Sequence, residues 1–403
     1  MGSDPFPSFK KNMKRLNYLF CSMAVLLAAT SCNRSNNEVV LIDPDDAVEA
    51  VLEDVACDIR IIPLKSDKPI PNAILFYFYD DYFFSIAPDI DYAFKDISVF
   101  DNDGNLLGTI DRYGRGHNEY ISLLNFLYQP DRKQLLLYSR DPEKYYQDFQ
   151  IFTFQLPGLE LLGTGHNWFM ASIRNLVQLG DGRCLNANWK YGTDLQLVSI
   201  LPDTAIIIKK YENMGGNRIG PTFTNQFTNP QNPLVATFGY ENNIYSLTDE
   251  DSLKLEFSFT FGDKGLPRSY TNRGPYSILI LDEEWEQYMK EGLAITYGVP
   301  VKNGDLLSFC YERNHDDYAK SYTHYYLTNG RKSANYSKLT IPGLKYTTAL
   351  AGINGTSYVY QLQSVEKDSS VPMSELGQQI LDAVQAQNDD NPILLQFRFK
   401  DLE

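Results

Sequence analysis

The sequence predicts an all-β protein, a six-bladed β-propeller whose ring is closed by an N-terminal strand pairing with C-terminal strands. Three observations predict it. Strands of about six residues, separated by polar turns and showing no helical period, recur along the chain. They group into units roughly 40–60 residues apart, the spacing of blades with insertions. One strand, Ile59–Leu64, has no hairpin partner beside it, while the last unit is one strand short. A stack of sandwich domains is the alternative, and it leaves that strand unpaired. At 403 residues the chain fits a propeller as one body, and its 28 Tyr and 23 Phe suit half-buried strands.

Lys10, Lys11, Lys14 and Arg15 form a basic start, followed by the apolar run Leu16 to Thr30, too short to span a bilayer. It ends in Ala28-Ala29-Thr30-Ser31-Cys32. This resembles the lipobox of bacterial lipoproteins, which are cut before the cysteine and acylated on it; a plain secretory peptide is the other reading. The expected organisation is a signal segment at 1–32, a tether and lead-in at 33–57, and the propeller at 58–403. Asn33 to Asn37 is polar and reads as flexible. Only Glu38 supplies acidic charge there, which favours a periplasm-facing position on the outer membrane. Asp43 to Asp54 reads as a short helix or an extended acidic lead.

The organising stretch is Ile97 to Ser139. Asp101-Asn102-Asp103-Gly104 makes a hairpin turn in which Gly104 takes positive φ. A Gly-rich corner, Gly114 to Tyr120, leads to two further strands. Repeats follow through Gly163, Lys210, Phe261 and Ile341, with a Gly/Asn/Pro-rich loop at 211–232 and a short helix expected at 281–291. The sixth begins at Tyr346, is broken by a helical segment near Met373–Gln387, and ends in Pro392 to Phe399.

The formal charge is −15. An acidic body without a basic stripe argues against nucleic acid and against electrostatic docking on anionic lipid. Cys57, Cys184 and Cys310 are widely separated and odd in number, so they read as small hydrophobes and not as a disulfide framework.

Candidate site residues are sparse. At the corner, Gly114 and Gly116 permit positive φ, Arg115 can pair with Glu119, and His117 can titrate; Asn118 and Tyr120 complete it. The corner is either a binding loop or an inter-blade fastener. His315, Asp316 and Asp317 lie in a polar loop that offers oxygens to calcium but lacks the calcium-loop pattern. No zinc spacing occurs among the four histidines, and no cofactor is indicated. Trp168 and Tyr191, near expected loops, are candidates for stacking on a ligand.

With these residues in view, the sequence resembles the six-bladed β-propeller lipoproteins of Gram-negative gut anaerobes, related to NHL-type and TolB-like propellers. Four features carry this: Cys32 in its lipobox, Ile61-Ile62-Pro63-Leu64, the Gly114-Arg115-Gly116 to Glu119-Tyr120 corner after Phe100-Asp101 and Gly104, and Asn391-Pro392-Ile393-Leu394. The family usually has Gly-Pro-Gly-Glu-Tyr where this chain has Gly116-His117-Asn118-Glu119-Tyr120. The resemblance implies the fold and an envelope address but no established activity. The functional expectation is a binding module for a glycan, peptide or envelope protein, touching the membrane through its lipid alone. The alternative is an envelope hydrolase, lactonase or lyase with a metal in the central channel.

Overall fold

A strap precedes the blades: β1 (Val40–Leu41), a 3-10 turn (Pro44–Asp46), β2 (Val48–Val51), a one-turn helix (Leu52–Val55) and β3 (Ala56–Pro63). Blade 1 comprises β4 (Leu75–Phe78), β5 (Tyr82–Ile86), β6 (Ile97–Asp101) and β7 (Leu106–Ile110). Blade 2 comprises β8 (Leu123–Gln129), β9 (Gln134–Arg140), β10 (Phe149–Gln155) and β11 (Glu160–His166). Blade 3 comprises β12 (Leu176–Gln178), β13 (Arg183–Asn188), β14 (Asp194–Ile200) and β15 (Ala205–Tyr211). Blade 4 comprises β16 (Arg218–Ile219), β17 (Leu234–Phe238), β18 (Asn242–Leu247) and β19 (Leu253–Thr260). In blade 5, β20 (Ala294–Thr296) and β21 (Val301–Asn303) both pair with β22 (Leu306–Asn314), followed by β23 (Ser321–Thr328) and β24 (Ser333–Thr340). Blade 6 is β25 (Leu344–Asn354), β26 (Ser357–Lys367) and β27 (Ile393–Phe399), completed by β3. This computed structural model describes residues 38–66, 70, 75–87, 93–140, 149–166, 176–179, 183–188, 194–200, 205–211, 218–219, 234–238, 241–271, 287–288, 290–296, 300–314, 321–387 and 391–402.

The ring closes as the sequence predicts. β3 runs antiparallel to β27, with Ile62 opposite Leu394 and Pro63 opposite Ile393. The register slips by one residue where Asp58 takes φ +53°, a bulge that aims its carboxylate at Arg398. Arg398 donates from Nη2 and Nε to the same oxygen, at 2.7 and 2.9 Å. Lys400 Nζ then donates to the carbonyls of Glu53 and Asp54 at 2.8 and 3.0 Å, satisfying the end of the one-turn helix.

The closing strand also touches blade 1. Gly104 sits in the Asp101–Asn105 hairpin at φ +82°, where a Cβ would lie 2.5 Å from the Pro63 carbonyl. Lys65 N–H donates to Gly104 O at 2.8 Å and Leu106 N–H returns a bond to Lys65 O at 2.9 Å. The Asp101 carboxylate accepts from Asp103 N–H (3.0 Å), Asn105 N–H (2.9 Å) and Asn105 Nδ2 (2.7 Å). Gly104 is thus required twice, by conformation and by proximity.

Residues 43–54 combine the two expected forms: a 3-10 turn, the extended strand β2 and the start of the one-turn helix. β1 adds in parallel to the outer strand of blade 4 and β2 in parallel to that of blade 5. Asp43 and Asp45 both pair with Lys264, at 2.5 and 2.6 Å, and Asp45 also pairs with Arg313. Hydrogen bonds from Lys264 and Arg313 hold the Asp45 carboxyl down at about 2. The loop at 211–232 contributes the short strand β16. The helix expected at 281–291 is helical at residues 287, 288 and 290, and the rest of it lies outside the described residues.

The interior is aromatic. Phe83 stacks on Phe100 at 4.9 Å within blade 1, and Phe259 on Phe309 at 4.4 Å between blades 4 and 5. Between blades 5 and 6, Tyr325 and Tyr360 join hydroxyls at 2.6 Å, and Ser308 meets Tyr358 at 3.0 Å. A helix (Glu375–Ala386), capped by Ser374 Oγ accepting from Gly377 N–H at 3.0 Å, buries Leu376 and Ile380 against this cluster. Cys184 and Cys310 are buried as expected, whereas Cys57 on the closing strand is half-buried. One ion cluster joins blades 4 and 5: Glu256 accepts from Lys302 and from Ser246, both at 2.6 Å, with Lys254 at 3.1 Å.

Deleting residues 56–63 is expected to abolish the single cooperative transition in chemical denaturation, while deleting 38–51 only lowers its midpoint. Equal behaviour of the two truncations would show that β3 is not the closing element. Partial burial pushes the Glu256 carboxyl up, but the bonds from Lys302, Ser246 and Lys254 outweigh it and hold it at about 2, below the usual 4.5. Because the folded value is the lower, its stabilisation is complete above about pH 4.5 and is lost as pH falls towards about 2. Glu256→Gln should therefore cost roughly 2 kcal/mol at pH 7 and progressively less on acidification. A penalty independent of pH would contradict this.

Candidate functional site

The corner that the sequence singles out joins β7 of blade 1 to β8 of blade 2. Its backbone doubles back on itself: Tyr120 N–H donates to Arg112 O at 2.9 Å, Gly114 N–H to Tyr120 O at 2.9 Å, and Glu119 N–H to Gly116 O at 3.2 Å. The Tyr120 ring, 1% exposed, packs edge-on to Phe152 at 5.6 Å. Its hydroxyl donates to Ile110 O at 3.0 Å and accepts from Arg112 N–H at 3.2 Å, tying the end of one blade to the start of the next. Burial pushes this phenol up to about 12, so it remains a donor at any physiological pH.

The glycines serve a different purpose from the one expected. The left-handed residue is Asn118, at φ +63°, and not Gly114 or Gly116. Asn tolerates that region better than other non-glycine residues, so Asn118 makes the turn without a glycine. Gly114 and Gly116 instead make room for the Glu119 side chain. Glu119 Oε2 accepts from Gly116 N–H at 2.6 Å, and a Cβ on Gly116 would approach that oxygen to 2.8 Å. A Cβ on Gly114 would collide with it.

The outward side of the corner is therefore made by Tyr113, Arg115 and His117, all exposed, with Asn118 half-buried. The connection between β5 and β6 joins it. Phe94 and Leu123 exchange backbone bonds at 2.9 and 3.0 Å, which brings Lys95 Nζ to 5.2 Å from the centre of the Tyr113 ring. Arg112 lies over Phe154 at 5.7 Å. Partial burial, with the Asp111 charge adding to it, raises the Asp96 carboxyl above its ordinary range. The result is a rigid shelf of aromatic and mixed-charge groups where two blades meet.

Of the residues the sequence proposes, Arg115, His117, Asn118, Glu119 and Tyr120 are brought together here; Arg115, His117 and Glu119 are exposed, Asn118 is half-buried and Tyr120 is buried. Glu119 turns its carboxylate back onto the Gly116 N–H, and Tyr120 fastens the shelf from within. Cys32, Trp168, Tyr191, His315, Asp316 and Asp317 lie outside the described residues. Lys95, Arg112 and Tyr113 escape sequence reasoning, because Lys95 reaches the corner only through the Phe94–Leu123 bridge. Among the described residues, no group of three or more His, Cys, Asp or Glu is placed to hold a metal ion.

A family model described as 6-bladed beta-propeller matches residues 30–326. No curated protein matches the sequence. Among solved structures, a Bacteroides fragilis protein described as exported superposes with a TM-score of 0.56 at 16% identity, over 88% of this chain and 99% of its own. The β-propeller domain of the Trilobed protease of Pyrococcus furiosus, described as having an open velcro topology, aligns at a TM-score of 0.34 and 12% identity, over 74% of this chain and 84% of its own. The first of these likenesses is one of fold.

The two roles of the corner can be separated by coupling. Gly114→Ala should destabilise the protein by about 1–3 kcal/mol in the native background and by much less in a Glu119→Ala background, where the obstructing carboxylate is gone. Additive penalties in a double-mutant cycle would show that Gly114 is needed for its backbone and not for space.

Proposed function

The chain belongs to the 6-bladed β-propeller family, and from that premise we propose that it is a binding module of the cell envelope, anchored by a lipid on Cys32. Its ligand is a glycan, a peptide or an envelope protein. The observation that carries this reading is the shelf at the blade 1–2 corner. Tyr113, Arg115 and His117 stand on a backbone fixed from beneath by Glu119 and Tyr120, so little conformational freedom is lost when a ligand docks. An aromatic ring beside cationic groups suits a sugar face bearing a carboxylate, or an acidic peptide.

The envelope address draws on the segment Lys10 to Cys32 and on the exported Bacteroides fragilis relative in fold. The kinship with NHL-type and TolB-like propellers and with gut-anaerobe lipoproteins belongs to the same reading, as does the periplasm-facing position on the outer membrane. Among the described residues no helix is long and apolar enough to cross a membrane.

Three experiments test the proposal. Cys32→Ser should move the protein from the membrane to the soluble fraction; continued fractionation with membranes would exclude acylation there. Thermal unfolding of the protein across a panel of acidic glycans and peptides should reveal a stabilising ligand, since one at about 100 times its Kd adds about 2.7 kcal/mol. The triple variant Tyr113→Ala, Arg115→Ala, His117→Ala should keep the unfolding midpoint and lose at least tenfold in affinity. Unchanged affinity would remove the shelf from the binding site, and a midpoint that drops with chelator would favour a metal-dependent enzyme.

A further inference from the structure

The outer edges of the blades are treated unequally. Those of blades 4 and 5 are covered by β1 and β2, and blade 6 ends in the closing strand β3. Among the described residues β15, the outermost strand of blade 3, has no strand beyond it. It is also the most apolar open edge: Ile206, Ile207 and Ile208 are 54%, 40% and 44% exposed. The corresponding strands of blades 1 and 2 each expose a single large aliphatic residue, Leu107 and Leu162. A register slip between Leu197 and Val198 leaves Ile208 as an extra residue on β15 and bends the strand, and all three isoleucines are exposed along this edge. Consecutive exposed isoleucines on an unpaired edge are an aggregation hazard unless something occupies them.

The strap indicates the occupant. β1, β2 and β3 begin at Val40, Val48 and Ala56, one blade and eight residues apart each time, passing from blade 4 to blade 5 to blade 6. One further step of the same length back is Cys32. Eight residues reach at most about 26–29 Å even when fully extended, so an acyl chain on Cys32 holds a bilayer within that distance of the start of the strap. Val39 and Leu41, at that start, are exposed as well, at 40% and 67%.

We infer that the outer edge of blade 3, Ile206 to Ile208, is a membrane-contact surface that seats the propeller on the lipid surface holding its anchor. This rests on the anchoring reading above and extends it: the lipid holds the protein, and the isoleucines set its orientation. The contact is apolar, consistent with an acidic protein, and it calls for no anionic headgroup.

The test decouples contact from acylation. The chain from residue 33 onward carries a histidine tag in place of Cys32 and is held on phosphatidylcholine–phosphatidylethanolamine vesicles through a small fraction of nickel-chelating lipid. Hydrogen–deuterium exchange is compared on and off vesicles. Uptake over 205–211 should fall at least threefold on vesicles, with no change over 56–63 in the opposite blade, and substituting Ser for Ile206, Ile207 and Ile208 should erase the difference while the tag still holds the protein. Equal uptake at 205–211 with the protein bound overturns the inference. So does a fall that appears without vesicles and grows with protein concentration, which would assign the edge to a second copy of the chain. Protection on vesicles together with a Cys32→Ser protein that remains on membranes in cells would sink the acylation reading and leave the contact surface standing.

Discussion

The ladder between β3 and β27 is the constraint on which the rest of this structure depends. It joins segments more than three hundred residues apart, with Ile62 against Leu394 and Asp58 against Arg398. Such a contact forms late and at a large loop-closure cost, so it stands only if the blades between its ends already fit. It is also not a local seam. The same strand delivers Pro63 and Lys65 to the Gly104 hairpin of blade 1, so one segment fixes blade 6 internally and fixes blade 1 against it. The buried faces between blades supply the bulk of the free energy, through rings such as Phe259 on Phe309. The ladder decides that those faces meet all the way round.

Closing a ring still leaves each blade with an outer edge. The strap meets this on one side of the molecule by extending blades 4 and 5 with parallel strands, and its ion pairs, Lys264 with Asp43 and Asp45, hold it at the boundary between them. These pairs are well exposed and contribute little to stability. Their value lies in register: acidic residues on the 3-10 turn meet Lys264 of blade 4 and Arg313 of blade 5 only when β1 and β2 are correctly seated. Acidity in the lead-in thus has a structural use, beyond keeping an anionic protein soluble.

Most of the architecture was legible in the sequence because a propeller writes itself in local signals. The turn at Asp101–Gly104, the alternating strands around it and the solitary Ile59–Leu64 gave fold and closure without any tertiary information. Parallel addition of β1 and β2 was not legible, since a parallel pair has no adjoining turn to announce it and Val48-Glu49-Ala50-Val51 is too short to stand out. β16, two residues within a Gly/Asn/Pro-rich loop, is likewise too short to stand out. At the corner the residue types were identified but their duties were not. Sequence suggests glycine wherever φ is positive, yet here Asn118 takes the left-handed conformation while Gly114 and Gly116 clear space for a carboxylate. Only coordinates distinguish those two uses of glycine.

The corner and the closure are mechanically one system. Blade 1 is held on one side by Lys65 against Gly104 and Leu106, and on the other by the Tyr120 hydroxyl reaching back to Ile110. β7, which begins at Leu106 and ends at Ile110, carries both attachments on a single five-residue strand. A shift of that strand at the closing seam is transmitted along its backbone to the carbonyl that anchors Tyr120, and so to the shelf bearing Tyr113, Arg115 and His117. Pre-organisation of the shelf therefore does not come from the corner alone. Glu119 and Tyr120 set its local shape, and the N-terminal strand, paired with β27 in blade 6, sets the ground on which that shape rests.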